Sequence, residues 1–442
     1  MSDEYVILIS IPGLRRQDLA HMPRLSALVA GGDQAELVPT FPAVTCTVQA
    51  SLTTGTPPSE HGVIANGFYW RDRRAVEMWT TPNECVDRPQ IWDILHKQSP
   101  GTTSAVWFPL HAKYCGADFV CLPAPVHNPD GSESLWCYTK PEMLYGDFLA
   151  KLGHFPLMNY WGPMSSIKST EWIVASAILA AEQFCPNFFY LYMQHLDYAP
   201  QKFGPDSPEA RQALADLDAE LGLLIDGFTT AYEPEKPLWI VASEYVITAV
   251  DHVTYPNRML RDAGLLTVKE VDGAELIDFE ASRAWALADH QFSHIFVRDQ
   301  DAETIATVRR LFEGHVGIAE VFAPAEAPQY DLNHPRSGDL VVVSTPNSWQ
   351  SYYWWRDDAR APAFARTVDI HRKPGYDPVE MFFDPATRGI PLDATLVKGS
   401  HGAPANEPAQ RGVLLSSQKG VFVEGPTADT DVCEIVLRQF GI

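Results

Sequence analysis

The sequence opens on a short apolar run, Tyr5-Val6-Ile7-Leu8-Ile9-Ser10, which the turn residues Pro12 and Gly13 follow closely. A continuous run of this length, rich in β-branched residues, is typical of a strand that is buried on both faces. Strands of this kind occur in parallel sheets that helices cover on both sides. The run therefore predicts that the chain folds around a buried, mainly parallel sheet.

Later segments repeat the same alternation of strand and helix. Residues 188–193 and 238–242 are further buried-strand runs. Between them, the tripeptide Ser-Pro-Glu at residues 207–209 supplies an N-cap, a proline at the first helical position and an early acid, so we expect a helix to begin there. Another helix is predicted at about residues 169–184. The pattern predicts an α/β fold, a doubly wound, mainly parallel sheet flanked by helices.

The pattern changes beyond about residue 255. Short strands are predicted at residues 265–268, 294–297 and 339–344, around a helix at 301–312. We therefore expect three parts: a core over residues 1–254, an inserted smaller α+β cap over 255–395, and a return to the core over 396–442. The last helix is expected near residues 431–440.

Charge and composition exclude several classes of function. The 442 residues include 56 Asp and Glu against 33 Lys and Arg, a formal net charge of −23. A phosphate backbone would be repelled by such a surface, so we expect no nucleic-acid partner. A bound cation can still create a local positive site on an acidic protein.

Cysteine usage and the N-terminus bear on the compartment. The seven cysteines are scattered and lack zinc-finger spacing, which favours free thiols in a reducing compartment. The N-terminal segment lacks a basic region, and no stretch reaches the ~18 apolar residues that a membrane helix needs. We expect a cytoplasmic protein without a membrane partner. The oligomeric state cannot be deduced from these features.

Polar residues follow several of the predicted strands, where α/β sheets bind their ligands. Thr45 provides a hydroxyl, Asp197 and Glu244 provide carboxylates, and His401 provides an imidazole. Each residue alone is also compatible with a structural role, as a helix cap, a loop acid, a surface acid or a turn residue. Together they suit a hydroxyl nucleophile with oxygen and nitrogen metal ligands.

Three segments carry a resemblance to a known family. They are the Thr-rich stretch 45–55 with His61-Gly62 and Asn66, the stretch 196–208, and Gly399-Ser400-His401-Gly402. With residues 6–13, these segments resemble the type I phosphodiesterase/nucleotide pyrophosphatase family of the alkaline phosphatase superfamily. The resemblance implies that Thr45 is the nucleophile and that Asn66 contacts a phosphoryl oxygen.

The metal-ligand pattern of that family is altered in this chain. The family pattern has two metal ions on three Asp and three His, with the threonine between the ions. In register, two ligands are kept, Asp197 and His401, and four positions differ, namely Pro12, Gln201, Glu244 and Tyr245. The half-sites implied are Asp197 with Gln201 and His401, and Thr45 with Glu244 and Tyr245. We expect a divalent metal, zinc or manganese, as one or two ions. The half-site of Thr45, Glu244 and Tyr245 should bind its ion more weakly, because the phenol is neutral unless a metal ionises it.

Other residues are alternative sources of ligands or charge. The pair Asp251-His252 is an alternative Asp-His pair, and Asp289-His290 forms an acid/imidazole cluster with His294. Lys398 is predicted to bind the phosphate of the substrate, and Arg372-Lys373 offers a further positive charge. Surface positions or a loop explain these residues equally well.

The resemblance implies a metal-dependent hydrolase of a phosphodiester or pyrophosphate bond in a small-molecule phosphate ester. Thr45 would form a phospho-threonine intermediate, and the inserted cap would select the leaving group. One alternative is a catalytically impaired pseudoenzyme that binds a phosphorylated ligand, as the altered ligand set suggests. Another is a phosphonate, sulfate or phosphomonoester hydrolase.

Overall fold

The computed structural model describes residues 4–127, 133–423 and 425–442, which form strands and helices in alternation. The principal strands are Val6–Ile11 (β1), Gln34–Val38 (β2), Ser104–Trp107 (β3), Phe119–Pro123 (β4), Cys137–Lys140 (β5), Phe188–Tyr192 (β6), Leu238–Ser243 (β7), Ala284–Asp289 (β8), Phe292–Val297 (β9), Ile318–Phe322 (β10), Leu340–Ser344 (β11), Gly412–Ser416 (β12) and Pro426–Ala428 (β13). The α-helices are Pro23–Val29 (α1), Thr45–Thr54 (α2), Pro58–His61 (α3), Ile91–Gln98 (α4), Leu144–Leu152 (α5), Lys168–Phe184 (α6), Tyr198–Phe203 (α7), Pro208–Ala231 (α8), Pro256–Asp262 (α9), Ala302–Phe312 (α10) and Asp431–Gln439 (α11).

The central sheet confirms the mainly parallel α/β prediction. Its described strands lie in the order β13-β2-β12-β7-β1-β6-β3-β4-β5. The five strands from β7 to β4 are mutually parallel, and β12 and β5 add antiparallel neighbours on either side of them. The first apolar run thus forms a strand in the middle of the sheet.

Helices cover both faces of the central sheet because the side chains of β1 alternate between them. Ile7 and Ile9 pack into a core with α6 and α8 on one face, and Leu8 packs into a core with α2, α4 and α11 on the other. Burial on both sides explains why the run is apolar throughout. The sheet is doubly wound, as predicted.

The helix signals locate their helices closely. The Ser207 hydroxyl accepts a hydrogen bond from the Ala210 amide at 3.0 Å, so α8 begins at Pro208. The carboxylate of Asp301 accepts in the same way from the Thr304 amide at 2.8 Å and caps α10.

The inserted region has a second, smaller sheet and its own core. Strands β8, β9, β11 and β10 form an antiparallel sheet in that order. Two predicted strands begin within one or two residues of β9 and β11, but the strand predicted at residues 265–268 is wrong in extent. Leu265 and Leu266 are buried in the turn after α9, and the strand runs from Val268 to Val271 in a hairpin. The domain boundaries at 254 and 395 stay predictions.

Five two-stranded ladders contain the remaining strands of the described residues. They pair Gly67–Trp70 with Ala75–Met78, Val126–His127 with Glu133–Ser134, Thr248–Ala249 with Gly399–Ser400, His252–Thr254 with Ser348–Gln350, and Val268–Val271 with Ala274–Ile277. All seven cysteines are free thiols. Within the described ranges, no helix combines the length and the apolar character that crossing a bilayer requires.

Candidate active site

The candidate site lies at the carboxyl edge of the parallel strands. Asp197 follows β6, Glu244 and Tyr245 follow β7 directly, and Thr45 is the first residue of α2. Val44, not Thr45, is the extended N-cap residue of that helix. His401 joins them because the neighbouring Gly402 forms a β-bridge with Ala43, just before α2. Four residues predicted from strand ends are thus together in one place.

A hydrogen-bonded chain joins Thr45 to Asp197 through a phenol. The Tyr245 hydroxyl lies 2.9 Å from Thr45 Oγ1 and donates to Asp197 Oδ1 at 3.0 Å. When Tyr245 donates its single phenolic proton to Asp197, the Thr45 hydroxyl can donate to the Tyr245 oxygen, and Thr45 also lies close enough to Glu244 to lower the pKa of that carboxyl group. Thr45 is 3% exposed and Tyr245 is fully buried, whereas the Asp197 side chain is 13% exposed, so this hydrogen-bonded chain reaches solvent at Asp197.

Four aromatic rings pack in succession beside Thr45, and we call them the ring column: Tyr245, His401, His290 and Tyr376. The centroids of Tyr245 and His401 are 3.6 Å apart with rings nearly parallel at 5°. His401 and His290 are 3.8 Å apart, and His290 and Tyr376 are 3.5 Å apart. The column joins the central sheet to the inserted region.

The inserted region brings two of these rings to the site through a tight hairpin. Asp289 pairs with Phe292, so His290 and Gln291 form a two-residue turn between β8 and β9. His290 has a φ of 60°, a left-handed conformation that such turns require. The Gln291 amide donates to the His401 carbonyl at 2.9 Å, and the Tyr376 amide donates to the Ala288 carbonyl at 3.0 Å. Sheet geometry thus positions both rings.

Asn66 connects the start of α2 to the same hairpin. Its Oδ1 accepts from the Cys46 amide at 3.0 Å. Its backbone amide donates to Asp289 Oδ2 at 2.8 Å, and its Nδ2 donates to Asp289 Oδ1 at 3.1 Å. Asn66 therefore lies at the first turn of α2 with its side chain bonded to protein groups, and its contact with a phosphoryl oxygen stays a prediction.

Gln201 presents its amide nitrogen to Asp197. Its Nε2 donates to the Asp197 carbonyl at 2.9 Å and lies close enough to the carboxyl group to lower the pKa of Asp197. Its Oε1 accepts a hydrogen bond from the Tyr376 hydroxyl at 2.8 Å. The amide oxygen, which is the atom that could bind a metal, is therefore directed at Tyr376.

Three carboxyl groups lie in the site, Glu244 and Asp289 fully buried and Asp197 with its side chain 13% exposed, and removal from water is the main influence on the pKa of each. It raises the pKa of Asp197 to about 7, of Glu244 to about 8 and of Asp289 to about 6. Hydrogen bonds from neutral donors oppose these shifts, such as the 2.7 Å bond from Gln49 Nε2 to Glu244 Oε1. Within the described residues, no hydrogen bond from lysine or arginine reaches these groups.

The His401 imidazole keeps the orientation expected of a metal ligand. Its Nδ1 lies 2.8 Å from the Ala43 carbonyl and donates to it, which leaves a lone pair on Nε2. Among the described atoms, Nε2 is buried without a hydrogen-bond partner and lies 3.7 Å from Asp197 Oδ1. Burial lowers the pKa of His401 well below its ordinary value, so the ring is neutral.

The residues present do not fit a two-metal centre. The described part of the chain contains no group of three His, Cys, Asp or Glu side chains arranged to hold an ion. Pro12 offers no donor atom, and Gln201 presents its NH₂ group. Burial, with the carboxyl groups nearby, raises the pKa of Tyr245 well above its ordinary value, so it remains a neutral phenol. Asp197 and His401 approach each other as a ligand pair would, and Glu244 Oε2 is likewise buried without a hydrogen-bond partner among the described atoms.

Several other predicted residues lie apart from this network. Lys398 is exposed, and its amine donates to the Thr395 carbonyl, although its backbone amide contacts Gln201. Asp251 is exposed and bonds to Asn347.

Two more of these candidates have structural partners. His294 does not share a helical face with His290, because both belong to the β8–β9 hairpin. Its ring donates to the Ile64 carbonyl and accepts from the Gly338 amide. Lys373 is buried in ion pairs with Asp377 and Glu380.

Two contacting residues were not predicted as parts of the site. Gln49 lies four residues after Thr45 on α2, and helical spacing could have placed it on the same face. Tyr376 gave no such signal, because its position depends on the pairing of distant segments.

Comparisons with known proteins follow this geometry. They assign the chain to a family of hydrolases. Residues 6–377 match the family described as type I phosphodiesterase/nucleotide pyrophosphatase, and the chain belongs to that family. The family predicted from the three sequence segments is therefore confirmed.

Individual relatives are more distant. An uncharacterized pyrophosphatase/phosphodiesterase of Schizosaccharomyces pombe is 25% identical over 227 residues, which are 50% of this chain and 40% of that protein. Phosphonoacetate hydrolase from Sinorhizobium meliloti 1021, in complex with phosphonoformate, superimposes with a TM-score of 0.65 at 17% identity, covering 99% of this chain and 96% of that one. Murine ectonucleotide pyrophosphatase/phosphodiesterase 5 gives 0.62 at 15% identity, covering 99% and 95%. The two structural similarities show the shared fold.

Proposed function

We propose that the chain hydrolyses a phosphodiester or pyrophosphate bond in a small-molecule substrate, with Thr45 as the nucleophile. The observation that carries the proposal is the position of the Thr45 hydroxyl. It lies in the first turn of α2 and is bonded through Tyr245 to a carboxyl group. A hydroxyl becomes a competent nucleophile when an adjacent base takes its proton.

The proposed covalent step uses atoms that are already in contact. Thr45 Oγ1 attacks phosphorus, the bond from phosphorus to the leaving oxygen breaks, and a phospho-threonine forms. The proton of Thr45 passes to the Tyr245 oxygen while the phenolic proton passes to Asp197 Oδ1. The raised pKa of Asp197, about 7, suits a base that works near neutral pH. Water then releases the phosphoryl group.

The start of α2 supplies the electrostatic support for this step. A helix N-terminus carries partial positive charge and unpaired amide groups, which favour an anion there. Metal dependence, which the resemblance implied, is not part of the proposal because the donor set does not fit it.

Substrates should be sought among small phosphorus esters. The family name favours phosphodiesters and pyrophosphates. The fold shared with phosphonoacetate hydrolase adds phosphonates to the compounds worth testing, and phosphomonoesters and sulfate esters complete the panel.

The first test compares the wild type with Thr45→Ala and Thr47→Ala on this panel. Thr47 is a matched control, since it is a buried threonine of the same helical turn. Thr45→Ala should reduce turnover by at least about 10³-fold, whereas Thr47→Ala should stay within a few-fold of the wild type. Acid quenching should trap a phosphorylated peptide that contains Thr45. Turnover that survives in Thr45→Ala would refute the nucleophile.

A second candidate function is ligand binding without turnover. It is favoured by Pro12, Gln201 and Tyr245, which stand where the family pattern has metal ligands and leave the centre without the ions that would support turnover. If it is correct, members of the panel raise the melting temperature by mass action while none is consumed.

A further inference from the structure

The Tyr245 hydroxyl lies between Thr45 and Asp197, and the ring column packs the His401 imidazole between the rings of Tyr245 and His290. We propose that the Tyr245 hydroxyl and the ring column replace divalent metal ions at this centre, so that the folded chain holds no zinc or manganese beside Thr45. The proposal rests on the proposed function only in taking the residues around Thr45 as the active centre. It can hold whether or not the chain turns over a substrate.

The first argument is the position of the Tyr245 hydroxyl. A metal ion binds oxygen ligands at about 2.0–2.2 Å, so an ion bound to both Thr45 Oγ1 and Asp197 Oδ1 would lie between these atoms. The hydroxyl already contacts both, at 2.9 and 3.0 Å. The ion could bind only after the phenol moved. Tyr245 is fully buried and packs with Ala43 and Ile247, which opposes such movement.

The second argument is the contact between the rings. Carbon atoms in van der Waals contact are about 3.5–4.0 Å apart, and the column has centroid separations of 3.6, 3.8 and 3.5 Å. His401 contacts the rings of both Tyr245 and His290. An ion therefore has no space between successive rings of the column.

The third argument is the number of available donor atoms. A protein zinc site needs at least three protein ligands. His401 Nε2 and the Asp197 carboxylate supply two. Glu244, whose Oε2 is buried without a hydrogen-bond partner, does not complete a group of three ligands in the described residues. Gln201 would be the third, but its oxygen accepts from Tyr376 and its nitrogen faces Asp197.

The fourth argument is that uncharged donors occupy the positions around the acids. Tyr245 donates to Asp197, Gln49 donates to Glu244, and Asn66 donates to Asp289 through two nitrogens. Each carboxyl group thus has a neutral hydrogen-bond partner. These bonds occupy oxygen atoms that a cation would otherwise coordinate, although Oε2 of Glu244 keeps no hydrogen-bond partner among the described atoms.

The test measures metal content by mass spectrometry on protein expressed with added zinc and manganese and purified without chelator. The wild type should contain well below one ion per chain, and calorimetric titration with either metal should show no binding at the site. A second protein carries Pro12→Asp, Gln201→His, Glu244→Asp and Tyr245→His, which restore the family ligands. It should gain about one to two ions per chain.

Controls separate this centre from adventitious binding. The double variant Asp251→Asn/His252→Gln removes an acid/imidazole pair outside the site, and His401→Ala removes the oriented imidazole. Metal that is lost only in the Asp251→Asn/His252→Gln variant is bound outside the candidate site and is consistent with the proposal. About one ion per chain that is lost in His401→Ala would overturn it. If the four-residue variant folds but gains no metal, these four positions do not exclude the metal, and the proposal is overturned. If that variant does not fold, the metal contents of the wild type and of His401→Ala decide the question.

Discussion

Two clusters of buried acids in this molecule are neutralised in different ways. In the inserted region, the Lys373 amine pairs with Asp377 at 2.9 Å and with Glu380 at 2.5 Å, and all three side chains are almost fully buried. In the candidate site, Asp197 and Glu244 have hydrogen bonds from a phenol and an amide instead. One cluster contains a fixed cation, and the other contains neutral donors.

The difference shows two ways in which a protein can hold carboxyl groups away from water. Burying a carboxylate without a counter-charge is expensive, so the group keeps a proton instead and its pKa rises. The candidate site follows this route, since burial raises the pKa of Asp197 to about 7 and of Glu244 to about 8. The Lys373 cluster depends on its ammonium group.

The largest expected effect therefore belongs to Lys373. Lys373→Met should lower the free energy of unfolding by about 3–5 kcal/mol, because it leaves two acids without their buried partner. Urea unfolding measures the change. Arg372→Gln is the control: that side chain is 70% exposed, and its loss should cost no more than about 0.5 kcal/mol. If both substitutions lowered the free energy of unfolding equally, the Lys373 cluster would not depend on its buried ammonium group, and the difference between the two clusters would be refuted.

Tyr245→Phe should have the next largest effect. It removes the hydroxyl that bonds both Thr45 and Asp197, so two buried polar groups lose a partner at a cost of about 1–3 kcal/mol. Tyr190→Phe is a matched control, because this buried tyrosine makes a single described hydrogen bond, to Ser10 at 3.2 Å. Thermal and urea unfolding should rank Tyr245→Phe as the more damaging change. The reverse order would mean that the phenol does not join Thr45 to Asp197.

Lys398→Ala should have the smallest effect. The side chain is exposed and bonds only to the nearby Thr395 carbonyl in the described structure, so stability should change by less than about 0.5 kcal/mol. The melting-temperature shift caused by panel compounds should also match the wild type. A tenfold loss of affinity would instead support the phosphate-binding role that the sequence predicted.

The sequence predicts the shared location of Thr45, Asp197 and Glu244 better than it predicts the contacts of the ring column. Buried-strand runs place β1, β6 and β7 in one sheet, and the parallel arrangement brings Thr45, Asp197 and Glu244 to the same edge. Those inferences use local patterns and a general property of parallel sheets. They require no knowledge of side-chain orientation.

The contacts of the ring column could not be predicted in this way. Tyr376 reaches the site because its segment pairs with β8, and His290 reaches it because a two-residue turn adopts a left-handed conformation. Both facts depend on long-range pairing. The orientation of the Gln201 amide likewise depends on Tyr376, so the sequence suggested a weak metal ligand where the structure shows a hydrogen-bond donor.

Anomalous diffraction at the zinc and manganese edges, from crystals soaked in each metal, tests the central claim most directly. The account predicts no anomalous peak beside Thr45, with the Tyr245 hydroxyl within hydrogen-bond distance of both Thr45 and Asp197. A peak bound to Asp197 and His401, with the Tyr245 ring displaced, would contradict it.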